Sequence, residues 1–470
     1  MDLREKADQI ITKNSRLKKR KIRKLAALSL GCTKNRIDTE EILGHLSGKG
    51  YILTDDRQSA DIIIINTCSF IEDAQQESVN TLIGIAEEVK NEKNPIVIAA
   101  GCLVEIFGID ILKKIPEIDG AIGVHSYSKL DLLIRMIEAG IRTAVKLKPA
   151  NSYCSFAPRA LTTPVHSAFV KISEGCSNYC NYCLIPTIRG PQRSKSASEI
   201  VEEIKNLLSF GSREINLIAQ DTTAYASEGL DLPGLVKKIM DIDQEFWLRI
   251  MYAYPSRIDH KLIELIASEK RICRYIDLPI QHASSKVLKL MGRSYDRETL
   301  CKLINRLKEK IPGISLRTTC MVGFPGENLR DFRELLSFLE LYPFNNLGAF
   351  TYSVQKGTTA YEMTGQVPLR VSKKRLERLM AKQQDISFKI NQNQIGKKMT
   401  ILVDRPLTGN KDWYAGRTEM QAPEVDGITY FRYQGKLEAG TWIRAEIAAA
   451  SSYNLLAVNP MIIDSPFLDV

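Results

Sequence analysis

Three cysteines in one short loop constrain this chain more than any other feature. Cys176, Cys180 and Cys183 lie in the run Glu174-Gly-Cys-Ser-Asn-Tyr-Cys-Asn-Tyr-Cys-Leu-Ile-Pro186, a C-x3-C-x2-C spacing. A tight loop of this kind can wrap three thiolates around one cubane iron–sulfur cluster, leaving the fourth iron without a side chain. A vacant iron is a place for a small chelating molecule to bind and react. The alternative is structural zinc. Zinc takes four ligands, commonly as two close pairs, and no second pair lies near this run.

The surrounding pattern says where such a loop sits. From Lys24 to about Ala144, short β-branched strands (Leu25–Leu30, 61–65, Ile96–Ala100) alternate with amphipathic stretches (Ile37–Leu46, Glu72–Val89, 109–115), which implies a parallel sheet. Each strand is followed by a cysteine: Cys32, Cys68 and Cys102. Ligands of open parallel sheets gather beyond the strand carboxyl ends, so these three thiols should converge there. Gly31 and Gly101 suit tight turns beside two of them. A buried cysteine is by itself just a small hydrophobe, but three at one topological position point to a shared site.

Residues 145–165 read as a linker broken by Pro149, Pro158 and Pro164, with the isolated Cys154 given no role. From His166 to about Asn393 six strand–helix units follow, with strands expected at Ala168–Ile172, Glu214–Ile218, Trp247–Tyr252, Tyr275–Leu278, Ser315–Met321 and Leu347–Tyr352. Six units are too few to close an eight-stranded barrel, so an open (βα)6 partial barrel is expected. Its first loop carries Cys176–Cys183. Cys273, Cys301 and Cys320 read as packing residues. Short strands and Gly/Pro turns from 394 to 459 suggest a small five-stranded barrel of OB-like type. The fold class is therefore α/β with an appended small β-barrel.

Composition narrows the class of molecule. At 470 residues and 44% hydrophobic the chain can bury several cores. Ten cysteines and no signal-like N-terminus point to a reducing cytoplasm, where thiols bind metal more often than they pair. Apolar runs are far too short to span a bilayer. The net charge of +10 is mostly a basic tail: residues 1–24 hold ten Lys/Arg and three Asp/Glu, leaving +3 for the rest. The run Arg16–Lys24 suits electrostatic contact with RNA or a solvated extension equally.

The cysteine run resembles the signature of radical S-adenosylmethionine (radical SAM) enzymes, in which the vacant iron is chelated by the amino and carboxylate groups of S-adenosylmethionine. The three parts in this order resemble the methylthiotransferases over residues 25–459. The resemblance implies two 4Fe–4S clusters: one on Cys176, Cys180 and Cys183, and an auxiliary, sulfur-presenting one on Cys32, Cys68 and Cys102. It implies a C-terminal TRAM domain that docks substrate. It also places Tyr182 near the adenine, Gln220 and Asp221 at the methionine amino group, and Gly323 and Glu327, in Val322-Gly-Phe-Pro-Gly-Glu327, beside adenine or ribose. A plain strand-to-helix turn is the other reading of that last segment. Arg249 is a candidate for the carboxylate because guanidinium forks suit it. Asp277, Gln281 and His282 are expected at the same mouth, though a satisfied wall residue is the commoner outcome for a lone histidine such as His282.

Two branches of the family compete. One thiomethylates a tRNA anticodon-loop adenosine (MiaB-like). The other thiomethylates an aspartate of small-subunit ribosomal protein twelve (RimO-like). Ser29-Leu-Gly-Cys-Thr-Lys-Asn35, Ala219-Gln-Asp-Thr-Thr-Ala-Tyr225 and Gln421-Ala-Pro-Glu-Val-Asp-Gly427 resemble the ribosomal branch, with Thr33, Ala226 and Gln421 as departures from its pattern. Residues 394–470 hold eight Lys/Arg and nine Asp/Glu. That is unlike an RNA-gripping barrel, and Glu424 and Asp426 are candidates for contact with a basic protein substrate. The resemblance also implies a sulfur donor and an electron donor such as flavodoxin or ferredoxin.

Overall fold

The computed structural model describes residues 23–90, 94–153 and 159–467. Most of the basic tail and Cys154 lie outside them. The chain forms two compact units. The first is residues up to 162 together with 174–177 and 183–193. The second is 163–173, 178–182 and 194 onward.

In the first unit, β1 (Lys24–Ser29), β2 (Ile52–Leu53), β3 (Ile62–Thr67), β4 (Ile96–Gly101), β5 (Gly120–Ile122) and β6 (Thr143–Val145) form one parallel sheet in the order β2-β1-β3-β4-β5-β6. Helices cover both faces, which is why the strands read as continuous apolar runs rather than alternating ones. Ile63 and Ile65 pack with Leu82, Ile85 and Val89 of helix Glu72–Lys90. Ile62 and Ile64 pack with Ile42, Leu43 and Leu46 of helix Thr33–Ser47. The short strands β2, β5 and β6 escaped the sequence reading. The single helix expected over 109–115 is instead a helix at Cys102–Phe107, a tight turn at Gly108–Asp110 and one helical turn at Ile111–Lys114.

The second unit contains β7 (Ser167–Lys171), β8 (Glu214–Ile218), β9 (Trp247–Ile250), β10 (Ile272–Asp277), β11 (Ser315–Val322) and β12 (Asn346–Thr351). They form a parallel sheet ordered β12-β11-β10-β9-β8-β7. Side chains fix the starts of its helices. Ser196 and Glu199 form a capping box at helix Ala197–Ser209, Asn328 and Asp331 another at Leu329–Leu341, and Asp296 caps Arg297–Lys310. The 24-residue helix Leu369–Gln392 ends the domain.

The same unit holds a closed barrel of β13 (Lys398–Pro406), β14 (Trp413–Arg417), β15 (Thr429–Arg432), β16 (Trp442–Ala450) and β17 (Leu455–Ile462), ordered β13-β14-β15-β17-β16. β15 and β17 pair in parallel and the other pairs are antiparallel. A network of buried charges ties this barrel to the partial barrel. Glu214 accepts from Ser167 and pairs with both Arg249 and Arg417, while Asp404 pairs with Arg417 and lies 2.9 Å from His166 Nε2.

Candidate active site

The auxiliary triad is built by three strand ends. Cys32 follows β1 and stands at the N-cap position of helix Thr33–Ser47, its side chain making no capping hydrogen bond. The departure at Thr33 falls on the first helical residue, where proline is merely the most favoured choice. Cys68 follows β3, and its backbone N–H and C=O both engage Ser78 Oγ, at 3.0 and 2.8 Å. Cys102 follows β4 and opens the next helix. Gly31 has φ +81° and lies so close to Cys68 that an added Cβ would meet its Sγ at 2.7 Å. Asn35 staples the two strand ends, donating to Leu30 O and Thr67 O at 3.0 and 2.9 Å.

All three thiols are free, Cys68 and Cys102 being buried and Cys32 exposed. Burial pushes the Cys102 thiol up to about 12 and raises that of Cys68; Cys32 adds to both rises, and Cys68 to that of Cys102. The Arg189 guanidinium opposes this, donating to Cys102 Sγ at 3.5 Å. A soft cation that displaces these protons gains three thiolates at once. The donor set thus fits an iron–sulfur cluster. Among the described residues no three His, Cys, Asp or Glu side chains form a ready single-ion site.

The C-x3-C-x2-C loop has residues in each unit, and each part is held within its own. In the first, the Cys176 amide donates to Gly190 O at 3.1 Å, and Gln192 N donates to Ser177 Oγ. In the second, Asn178 donates to Asp221 at 2.8 Å, and Asn181 donates to Leu290 O. Cys180 Sγ accepts from Arg293 Nη1 at 3.3 Å. That guanidinium stacks over Tyr254 at 4.3 Å and Tyr295 at 5.0 Å, and donates to Pro279 O and the Tyr295 hydroxyl. None of the three cysteines of this loop is in a disulfide, Cys176 being buried and Cys180 and Cys183 partly exposed. Three thiols of this softness on eight residues fit a second cluster.

The other expected contacts divide. The half-buried Tyr182 ring stands edge-on to Phe324, 6.2 Å between centroids, in an apolar cluster with Met321 and Tyr352. Asp221 is buried, and its carboxylate is engaged by Asn178, Arg257 and Thr223, so it braces the cysteine loop. Gln220 is half-buried next to it. Gly323 has φ +77°. Gln281 has φ +64° and joins β11 through a backbone bridge, and its Oε1 is buried without a hydrogen-bond partner. His282 is fully buried, with Nδ1 accepting from Ser284 N and Nε2 unpartnered.

Four expectations are corrected. Arg249 does not reach for a ligand carboxylate: it is fully buried, its Nε and Nη2 on Glu214 and its Nη1 on Glu419 O. Its fork is spent on joining the two barrels. Glu327 turns back to accept from Gly323 N and Phe324 N and pairs with Arg375 at 2.8 Å, one residue ahead of the helix N-cap Asn328. Asp277 is occupied by Arg317 and Tyr252 N, at 3.1 Å each. Asp426 is not a surface acid. Its carboxylate is buried, accepting from Tyr275 Oη at 2.7 Å and Ala422 N, and pairing with Arg317. Glu424 alone is exposed, at φ +70°. The departure at Gln421 is accommodated inside the barrel, where its Oε1 accepts from Thr418 N and Thr429 Oγ1.

Arg189 and Arg293 were missed. The only trace of them in the sequence is an arginine beside a glycine, in Ile188-Arg-Gly190 and Gly292-Arg-Ser294.

Three family models match parts of this chain. The Radical SAM superfamily model matches residues 170–339, the Uncharacterized protein family UPF0004 model matches 24–123, and the TRAM domain model matches 395–459. Among solved structures, the radical S-adenosylmethionine methyltransferase TsrM from Kitasatospora setae, with cobalamin and a [4Fe-4S] cluster bound, shares the fold. Its TM-score is 0.55 at 14% identity, over 70% of this chain and 75% of that one. Proteins named ribosomal protein uS12 methylthiotransferase RimO are much nearer. That of Desulforudis audaxviator is 42% identical over 92% of this chain and 96% of its own length. Those of Clostridium botulinum and Pelotomaculum thermopropionicum are 41% and 40% identical, each over 98% of its own length. Near-complete coverage at that identity, across all three parts of the chain, makes this chain a member of the ribosomal protein uS12 methylthiotransferase RimO family.

Proposed function

We infer that this enzyme, a methylthiotransferase, attaches a methylthio group to the β-carbon of an aspartate in ribosomal protein uS12. The observation that carries the reading is the placement of Cys32, Cys68 and Cys102 just beyond the ends of three adjacent parallel strands. A radical SAM enzyme that only cleaves its cosubstrate has no use for a second thiol triad. The names of the relatives favour uS12 over tRNA.

Cys176, Cys180 and Cys183 hold one [4Fe-4S] cluster and Cys32, Cys68 and Cys102 the other. Bound there with S-adenosylmethionine, these groups supply one-electron hydrogen abstraction, a sulfur atom and a methyl group. The protein's own contribution is placement and charge. Asp221 and Arg257 fix Asn178, and with it the loop that carries Cys180. Tyr182, Phe324, Met321 and Tyr352 provide an apolar wall that suits a purine face and excludes water. Arg293 places a positive charge on Cys180 Sγ. The closed barrel is near neutral in charge and presents Glu424 to a basic protein. The sulfur donor, a flavodoxin- or ferredoxin-like reductant and a cytoplasmic location complete the reading; no described helix is long and apolar enough to cross a membrane.

The test is anaerobic reconstitution with S-adenosylmethionine and reductant, offered uS12 and tRNA in parallel. A mass gain of one methylthio group on uS12, with none on tRNA, is expected. The reverse outcome refutes the substrate. Absence of 5′-deoxyadenosine refutes the reaction class.

A further inference from the structure

One buried cation stands at the auxiliary triad. Arg189, 2% exposed, ends the short helix Ile185–Arg189 that starts two residues after Cys183. Its Nη2 contacts Asp38 Oδ2 at 2.8 Å, Asn35 Oδ1 at 2.6 Å and Cys102 Sγ at 3.5 Å, while Nη1 contacts Glu174 at 2.9 Å. Asn35 is the residue whose amide fixes the strand ends before Cys32 and Cys68. A single guanidinium therefore touches one sulfur ligand and orients the amide that sets the backbone beside the other two. Burying that group costs several kcal/mol unless its hydrogen bonds are met. Two carboxylates and an amide oxygen meet them here. A structural arginine could be satisfied by the carboxylates alone. The fork aimed at sulfur is the feature that needs a reason.

We propose that Arg189 is a positioning residue that sets the reduction potential of the auxiliary cluster, with Asp38 as its counterweight. The proposal rests on the reading that Cys32, Cys68 and Cys102 hold a cluster. A hydrogen bond and a positive charge at a ligand sulfur stabilise the reduced cluster and raise its potential. Asp38, 2% exposed and on the same nitrogen, offsets part of that charge. The two residues therefore act in opposite directions on one quantity, which a purely structural pair would not do. Lysine supplies the charge but not the fork that reaches sulfur, Asn35 and two carboxylates together.

The experiment uses the full chain carrying Cys176→Ala, Cys180→Ala and Cys183→Ala, which leaves the auxiliary cluster alone, in a redox titration followed by absorbance and electron paramagnetic resonance. Arg189→Gln is expected to lower the potential by at least a tenfold change in the reduction equilibrium, 59 mV for one electron. Asp38→Asn is expected to raise it, and Arg189→Lys to fall between the parent and Arg189→Gln. Unchanged potentials, or shifts of the same sign in Arg189→Gln and Asp38→Asn, overturn the proposal. If Arg189→Gln does not hold iron, Asp38→Asn decides, and an unmoved or lowered potential there refutes it. Failure of every variant to hold iron beside a loaded parent shows a structural role only and also overturns it. A parent without iron instead refutes the cluster reading itself.

Discussion

Glu214 and Arg249 share a hydrogen-bonded fork, with Nε and Nη2 of the arginine at 3.1 and 3.0 Å from one carboxylate oxygen and both side chains fully buried. The other oxygen of Glu214 faces Arg417 of the small barrel at 2.7 Å. Burial pushes the Glu214 carboxyl up, but Arg417 and Arg249 pull it further down, below the usual carboxylate range. Glu214→Gln removes the one charge that both guanidiniums face, and removing one partner of a buried pair costs about 3–5 kcal/mol. The expected outcome is a lower unfolding midpoint and faster proteolysis within 395–459. Unchanged proteolysis would show that the barrels are joined by other contacts.

Gly31→Ala should disable one cluster and spare the other. A methyl group at this position meets Cys68 Cβ and Sγ at 2.5 and 2.7 Å, on a backbone at φ +81° that side chains rarely adopt. Iron and sulfide should fall by about half, one cluster of two. Reductive cleavage of S-adenosylmethionine should persist. A full iron complement in this variant would contradict the assignment of Cys68.

The six cysteines separate by readout. Cys32→Ala and Cys176→Ala should each lose about half the iron, one cluster of two. Only Cys176→Ala should also lose 5′-deoxyadenosine formation. Cys32→Ala should still form it while leaving uS12 unmodified. If Cys32→Ala loses no iron, the auxiliary site is placed wrongly.

His282 makes stability depend on pH. Burial pushes its imidazole down to about 3, with Asp331 pulling it back up and Arg375 adding to the fall. Below about 6.5 the unfolded chain takes up a proton that the folded one refuses. Stability should therefore fall as the pH drops from about 6.5 towards 3, by up to about 1.4 kcal/mol per unit. In His282→Asn, the amide oxygen can accept from Ser284 N in an Asx turn, and the dependence should flatten. Denaturation midpoints at pH 8, 7, 6 and 5.5 measure the slope. Equal slopes in both proteins would refute the assignment.

The sequence pointed to the two cysteine triads because each follows a simple rule. Cys176, Cys180 and Cys183 are neighbours in the chain, and Cys32, Cys68 and Cys102 each follow a strand of one parallel sheet. The strands were readable where both faces are covered, as at Ile62–Thr67, and were missed where they are two or three residues long, as at Ile52–Leu53. The fifth barrel strand, Leu455–Ile462, was expected in number but not in place. Arg249, Asp277 and Asp426 were misassigned for one physical reason. A fork or a carboxylate is equally suited to a ligand or to a distant residue, and the partners stand far away in sequence: 170 residues separate Arg249 from Glu419 and 151 separate Asp426 from Tyr275. The same distance hid Arg189 and Arg293, whose sulfur contacts span 87 and 113 residues.

Cys32, Cys68 and Cys102 are 36 and 34 residues apart along the chain, whereas Cys176 to Cys183 span eight. Closing two long loops in a disordered chain costs entropy that an eight-residue loop hardly incurs. The Cys176–Cys183 run brings its thiols together by sequence alone, whereas Cys32, Cys68 and Cys102 become neighbours only through the pairing of β1, β3 and β4.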